Sequence, residues 1–164
     1  MRLRYRRRSR ARRQGVVRPA EPAPWHLWLV GAVSLLWNAF GALQYTMAQL
    51  RQPTYLARSA EGMGIKPAEL TAYLAGFPAW SVALWALGVW GALAGSALLL
   101  ARSRFAIHAF AVSLAGLAGT QAYQAIAPRP AWAAPAIGFT LAIWSIAIGL
   151  LLYAKALRRR GSLR

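Results

Sequence analysis

The sequence predicts an all-α membrane protein in which four transmembrane helices form a bundle. Hydrophobic residues make up 58% of the 164 residues, and charges are absent from four long segments, residues 22–50, 70–101, 105–128 and 130–154. Each segment exceeds the roughly 20 residues that a helix needs to cross about 30 Å of hydrocarbon. Four such segments in one short chain leave too few polar positions for a water-soluble surface. The lipid bilayer is therefore expected to surround most of this protein.

The chain divides into two basic ends and a hydrophobic middle. Nine arginines lie within the first 18 residues, and no apolar periodicity accompanies them, which is typical of a disordered tail. The predicted elements are a basic tail over residues 1–24, helices over residues 25–50, 78–100, 105–127 and 132–154, and a second basic tail over residues 155–164.

The links between the predicted helices differ in length. Residues 102–104 and 128–130 make tight links, so the helices on either side of each are expected to be antiparallel neighbours. The first link, residues 51–77, is the only long one. Within it, Pro67 suits a first helical turn and Glu69 is favourable close behind it, which predicts a short helix on the membrane surface.

The distribution of basic residues predicts the orientation. Of the 20 lysines and arginines, 16 lie in the two tails and the link at residues 102–104. Because basic residues favour the cytoplasmic side of a membrane, both ends of the chain are expected in the cytoplasm of a bacterial cell, with the protein in the inner membrane. The link at residues 51–77 and Arg129 would then lie on the outer side.

The net charge of +17 allows two interpretations of the basic tails. Each Lys or Arg near a membrane surface contributes about 1 kcal/mol of attraction to anionic lipid head groups. Nucleic acid is the alternative partner. Proteins that bind single-stranded nucleic acid use aromatic side chains to stack on the bases, and Tyr5 is the one aromatic residue among these arginines. We therefore expect the bilayer and its anionic lipids as partners, and not nucleic acid.

The composition also disfavours several kinds of chemistry. The chain has no cysteine and no aspartate, and its three glutamates, Glu21, Glu61 and Glu69, lie outside the predicted helices. His26 and His108 fall near the predicted cytoplasmic ends, where an interfacial position is the default. Because no acid, base and nucleophile can be brought together, we expect neither an enzyme nor a bound metal or cofactor.

Small residues recur along the predicted helices and indicate which faces pack together. In lipid, close approach of helices depends on small side chains, since the hydrophobic effect does not draw helices to one another. The expected packing glycines are Gly88, Gly91, Gly95, Gly116, Gly138 and Gly149. The glycine face of the second helix could also support a homo-oligomer.

Uncharged polar residues gather in the first and third helices, mostly towards the predicted outer side. A polar group in hydrocarbon is costly unless it finds a partner, so two roles are open. The residues could be a structural network that joins the helices, or a hydrogen-bonding pocket for a small neutral polar ligand. The candidates are Asn38, Gln44, Tyr45, Gln49, Gln121, Tyr123 and Gln124.

The first predicted helix contains the block Leu35-Leu36-Trp37-Asn38-x-x-Gly41-x-x-x-Tyr45-x-Met47-x-Gln49, which is followed by Pro78-Ala79-Trp80, Gly91-x-x-x-Gly95 and Leu98-Leu99-Leu100. This pattern resembles a family of small bacterial inner-membrane proteins of unestablished function, some of which carry the label "sugar transporter". The resemblance covers residues 27–126 and departs from the family in the arginine-rich tail. It implies that Trp37, Asn38, Gly41 and Tyr45 are defining positions, without giving them a role.

Two functional hypotheses follow from these features. The first is a facilitative carrier or permeation component for a small neutral polar solute, bound by the amides and tyrosines of the outer side. The second is a non-transporting scaffold, assembly factor or lipid-binding accessory protein, whose basic tails hold anionic lipid or a partner. The first predicts that Tyr45 and Gln121 matter most, and the second that residues 1–18 do.

Overall fold

The computed structural model describes residues 24–134 and 136–164, and its regular structure is entirely helical over these residues. The predicted N-terminal basic tail therefore lies outside the described residues, apart from Pro24. The helices are α1 (Trp25–Gln49), α2 (Pro53–Met63), α3 (Pro67–Ala75), α4 (Ala79–Leu100), α5 (Ala106–Ile126) and α6 (Ile137–Arg159), with a short 3₁₀ turn at Ala131–Ala133 before α6.

Three segments are long and apolar enough to cross a membrane, Trp25–Gln49, Ala79–Leu100 and Ala131–Arg159. They contain α1, α4 and α6. The remaining long helix, α5, has 21 residues, which at 1.5 Å per residue gives a length of about 31 Å. It contains several polar residues, among them His108, Gln121 and Gln124, and it is not among these three segments.

Successive long helices are antiparallel neighbours. α1 crosses α4, with Asn38 against Ser96 near the middle and Tyr45 against Trp85 further along. α4 in turn packs along α5, and α5 contacts α6. The helices therefore follow one another in the order α1, α4, α5 and α6, with α4 between α1 and α5.

The bundle is tightly packed at one end, which we call the closed end. There α1 begins, α4 ends, α5 begins and α6 ends, and all four contribute to one apolar core. The core consists of Leu27, Leu99, Ala106, Ile107, Phe110, Leu150, Ala154, Leu157 and Leu163. His26 of α1 also hydrogen-bonds the Tyr153 hydroxyl of α6, which joins the first and last helices at this end.

Glycines allow α4 and α5 to approach very closely. A Cβ atom built on Gly116 would lie 2.5 Å from the backbone nitrogen of Gly88 and from the carbonyl oxygen of Leu84. The space beside Gly91 is also limited, since a Cβ there would lie 3.1 Å from the backbone nitrogen of Ser113. Ser113 donates from its Oγ to the Gly88 carbonyl oxygen at 2.6 Å. The packing predicted for these glycines is present between α4 and α5.

The packing prediction is wrong for the last helix. Gly138 and Gly149 of α6 are exposed, and a Cβ built on either would meet no atom within 4 Å. Helix α6 instead turns Leu150, Ala154 and Leu157 towards the core at the closed end. These side chains lie on another face of α6, and the larger apolar contact that they make determines the orientation of the helix.

The last helix also begins and ends about five residues later than the predicted range of 132–154. Ala134 precedes a proline, which disfavours helical backbone, and the chain is extended there after the 3₁₀ turn. At the other end, the helix continues through Lys155 to Arg159 because Ala154 and Leu157 are buried in the core. The basic residues in this stretch therefore extend α6 and do not form a separate tail.

Residues after α6 fold back on the bundle instead of forming the expected basic tail. Backbone hydrogen bonds join Arg104 and Arg102 to Arg164, and the Arg102 side chain donates to the Ser162 carbonyl oxygen at 3.1 Å. Leu163 is buried in the core at the closed end. This segment lies against the link between α4 and α5 because an apolar side chain and the backbone both find partners there.

The long link forms two helices where the sequence predicted one. Pro67 begins the expected helix, α3, and Pro53 begins an additional helix, α2, since proline suits a first helical turn. Gly64 separates the two with a left-handed backbone, φ 68°. Leu56, Ala60 and Leu70 pack together between α2 and α3, joined by Trp132 from the 3₁₀ turn. The pair forms a small layer at what we call the open end of the bundle.

Candidate functional site

A cavity of about 500 Å³ lies between α1, α4, α5 and α6, and we call it the bundle cavity. The core at the closed end forms its floor, since Phe110 and Leu150 belong to both. Most of its wall is aromatic or aliphatic. The apolar lining comprises Trp37, Phe40, Trp85, Val89, Ala92, Phe110, Leu117, Phe139, Ile143, Ile146, Ala147 and Leu150.

Several polar groups in this lining are already satisfied within the bundle. Asn38 donates to the Ser96 Oγ at 2.9 Å and to the Ala92 carbonyl oxygen at 3.3 Å. Ser113 and Thr120 donate to the carbonyl oxygens of Gly88 and Gly116. Asn38 and Ser113 therefore each join two helices, and Thr120 bonds within its own helix, while all three line the cavity.

Three glutamines form the polar end of the bundle cavity, Gln44 of α1 and Gln121 and Gln124 of α5. Gln44 accepts a hydrogen bond from the Tyr55 hydroxyl at 3.0 Å, and Gln121 accepts a long one from the Trp144 indole at 3.4 Å. A primary amide can donate twice and accept twice, so these side chains keep capacity for a ligand.

A second space of about 850 Å³ lies between the open end and the α2–α3 layer, and we call it the mouth cavity. The two cavities adjoin, because six residues line both of them. The shared residues are Gln44, Trp85, Gln121, Gln124, Phe139 and Ile143. An occupant could therefore reach from the α2–α3 layer past the glutamines into the apolar interior.

Two arginines line the mouth cavity, Arg58 of α2 and Arg129 of the link after α5. Arg129 donates from its Nη1 to the Gln124 carbonyl oxygen at 2.8 Å, where the last carbonyls of α5 lack helical partners and favour a cation. Burial raises the pKa of the Tyr73 phenol, and the nearby Arg129 lowers it by a smaller amount. Tyr73 therefore offers a protonated hydroxyl beside this arginine.

The structure brings together only part of the predicted site. Asn38, Gln44, Gln121 and Gln124 line the bundle cavity, whereas Tyr45, Gln49 and Tyr123 line neither cavity. The Tyr45 ring packs edge-on against Trp85, 5.0 Å between centroids.

Tyr123 and Gln49 lie outside both cavities for structural reasons. Tyr123 lies in an aromatic cluster, with ring centroids 5.8 Å from Phe77 and 5.1 Å from Trp80. Gln49 is the last residue of α1 and is exposed. The first and third predicted helices do not meet face to face but are separated by α4 and the cavity, so only side chains on the cavity-facing sides converge.

The sequence interpretation missed the aromatic wall and both arginines. Trp85 and Phe139 look like ordinary apolar positions in a membrane helix, and no periodicity separates cavity-facing from lipid-facing side chains. Arg58 and Arg129 were counted only as charges on the less basic side. A signal existed for Arg129, since a charged residue between two prolines directly follows the polar end of the third helix.

Comparisons with family models, with curated proteins and with solved structures gave no match. The resemblance to small inner-membrane proteins therefore stays a prediction. Among the described residues, no group of three or more His, Cys, Asp or Glu side chains could hold a metal ion. The fold and cavities define the class as a helical protein with membrane-length apolar segments and a largely apolar cavity between its long helices.

Proposed function

We propose that this protein is a multi-pass inner-membrane protein that binds a small amphipathic molecule in the bundle cavity. The observation that carries the proposal is the polarity gradient of the cavity. Aromatic and aliphatic side chains surround its floor at Phe110 and Leu150, and the glutamines gather where it joins the mouth cavity. Ligand sites of this size are usually apolar, with a few polar groups that fix orientation.

We also propose four membrane crossings, one more than the three segments that are long and apolar enough to cross a membrane. Helix α5 would be the fourth, protected from lipid on its polar face because Gly116 faces α4 and Thr120, Gln121 and Gln124 face the cavities. A helix with polar residues can cross hydrocarbon when those residues face a bundle interior. Both chain ends would be cytoplasmic, since basic residues concentrate at the closed end and in the N-terminal tail.

The orientation can be tested with reporters fused to the full chain. A periplasm-active phosphatase inserted at Gly64, between α2 and α3, should be active, whereas the same reporter after Arg164 should be inactive. A cytoplasmically fluorescent reporter should give the opposite pattern. Equal activity at both sites, or the reversed pattern, would disprove a four-crossing topology with cytoplasmic ends.

Ligand binding can be tested by thermal unfolding of the purified protein with a neutral amphiphile, a monoacylglycerol, as the probe. Gly41 lines the bundle cavity, and a Cβ on it would meet no atom within 4 Å, so Gly41→Leu should narrow the cavity and obstruct an occupant. The probe should raise the Tm of the wild type and leave that of the Gly41→Leu variant unchanged.

The matched control is Gly138→Leu, at an exposed position on α6 outside both cavities. The probe should raise its Tm as it raises that of the wild type, because a ligand that binds the folded state and not the unfolded state stabilises the protein by mass action. An equal rise in all three proteins would indicate nonspecific uptake of amphiphile and reject the cavity as a binding site.

A carrier for a small neutral polar solute is the second candidate, and the three glutamines are the observation in its favour. The apolar wall around them favours an amphipathic occupant instead. Glycerol and glucose tested in the same unfolding series separate the two candidates. Stabilisation by these solutes, abolished by Gly41→Leu, without stabilisation by the monoacylglycerol would support the carrier.

A further inference from the structure

The mouth cavity carries positive charge without a compensating carboxylate in its lining. Arg58 and Arg129 line it, whereas neither Glu61 nor Glu69 does, although both lie in the α2–α3 layer. Within the described part of the chain, Arg58 makes no hydrogen bond or ion pair. The guanidinium groups can therefore bind an anion that does not belong to this chain.

The two arginines reach this cavity from different elements. Arg129 is fixed by its bond to the Gln124 carbonyl oxygen at the end of α5, and Gln124 itself lines both cavities. Arg58 reaches the cavity from α2. The same lining contains neutral donors, the hydroxyls of Tyr73 and Thr140. Guanidinium groups and hydroxyls together suit an oxyanion such as a phosphate.

The apolar space behind these groups indicates that the anion is attached to a chain. Trp85, Phe139 and Ile143 continue from the mouth cavity into the bundle cavity, which ends on Phe110 and Leu150. A free inorganic or sugar phosphate would leave this space without a partner. An acyl chain would fill it and would leave its polar end beside the arginines.

We propose that the joined cavities bind one anionic phospholipid, with an acyl chain in the bundle cavity and its phosphate at Arg58 and Arg129. This inference rests on the proposed function, since it names the class of amphipathic ligand. The phosphate would lie at the open end, where the two arginines are, and the chain would point towards the closed end. Charge complementarity selects an anionic lipid over a zwitterionic one.

The experiment is native mass spectrometry of the full chain from micelles that contain equal amounts of phosphatidylglycerol and phosphatidylcholine. The wild type should retain phosphatidylglycerol preferentially. The double variant Arg58→Gln/Arg129→Gln should lose that preference by about tenfold or more, because it removes two positive charges that attract the net negative charge of phosphatidylglycerol and repel the choline group of phosphatidylcholine. Lys66→Gln is the matched control, since Lys66 is an exposed cation of the same link outside both cavities.

The arginine-rich N-terminal tail is a second attraction for anionic lipid, but it is identical in every variant. A preference unchanged in Arg58→Gln/Arg129→Gln would therefore overturn the inference. Excess soluble glycerol phosphate distinguishes the two sources of the anion. It should not displace the lipid, and displacement by it would overturn the lipid assignment in favour of a soluble phosphate.

Two results separate this inference from the proposed function. Loss of bound lipid of both kinds in Gly41→Leu, with no effect of the arginine substitutions, would keep the cavity as a site and reject the anionic selectivity. Full retention in Gly41→Leu, together with an unchanged response to monoacylglycerol, would reject the cavity and the lipid inference together. The expected result is loss of bound lipid in Gly41→Leu and loss of the preference for phosphatidylglycerol in Arg58→Gln/Arg129→Gln. Lys66→Gln should show neither loss.

Discussion

The Asn38 side chain of α1 donates from its Nδ2 to the Oγ of Ser96 of α4 at a distance of 2.9 Å. Ser96 is fully buried and donates in turn to the Ala92 carbonyl oxygen at 3.0 Å, which also accepts from Asn38. This three-way arrangement joins α1 and α4 beside the bundle cavity. It gives Asn38 a structural role, although the residue also belongs to the cavity wall.

The bond between Asn38 and Ser96 should be measurable as a coupling energy. Asn38→Ala and Ser96→Ala should each destabilise the protein, and the double variant should cost less than the sum of the two. The expected coupling is about 0.6 kcal/mol, the average for hydrogen bonds between membrane helices, and no more than about 1.7 kcal/mol, the maximum. Reversible unfolding in mixed micelles would measure it, and strictly additive losses would contradict the interaction.

Gly116→Ala should be strongly destabilising. Its new methyl group would meet the backbone of Gly88 and Leu84 at 2.5 Å, so α4 and α5 would have to separate. Overpacking of this kind typically costs about 1 to 3 kcal/mol. Gly149→Ala is the control, because nothing lies within 4 Å of its added methyl group, and it should be neutral or slightly stabilising. Similar unfolding free energies for the two variants would show that α4 and α5 do not approach this closely.

Gln121 and Gln49 were equivalent candidates in the sequence but should behave differently. Gln121→Leu removes a polar group from both cavities and should reduce the rise in Tm caused by the monoacylglycerol. Gln49→Leu, at the exposed end of α1, should leave that rise unchanged. The baseline Tm of each variant, measured without the probe, separates loss of binding from loss of the long bond to Trp144. An equal response of both variants would contradict the position of the site.

Leu163 should contribute to stability although it lies next to the last residue of the sequence. It is 6% exposed and packs in the core at the closed end, whereas Leu152 of α6 is 58% exposed. Leu163→Ala should therefore cost about 2 kcal/mol or more, as for other buried leucines, while Leu152→Ala should cost far less. Unfolding in mixed micelles provides the comparison, and a loss no larger than that of Leu152→Ala would mean that residues 162–164 do not pack on the bundle.

The sequence determined the helical class and the approximate limits of α1, α4 and α5. Length, absence of charge and the prolines suffice there, because a long apolar segment must satisfy its own backbone hydrogen bonds and does so as a helix. The same local signals located α3 through Pro67. They were insufficient for α6, whose C-terminal end depends on Ala154 and Leu157 packing against other helices.

Tertiary structure decided which polar and small residues serve the cavity. Gly116 and Gly138 look alike in sequence, yet one lies against α4 and the other is exposed, because α6 is oriented by its larger apolar side chains. Gln121 and Gln49 likewise differ only in what surrounds them. In a membrane helix nearly every face is apolar, so hydrophobic periodicity gives little indication of the inward side. Contacts between helices supply that information, and they also place Arg58 and Arg129 on one cavity although the two residues are far apart in the chain.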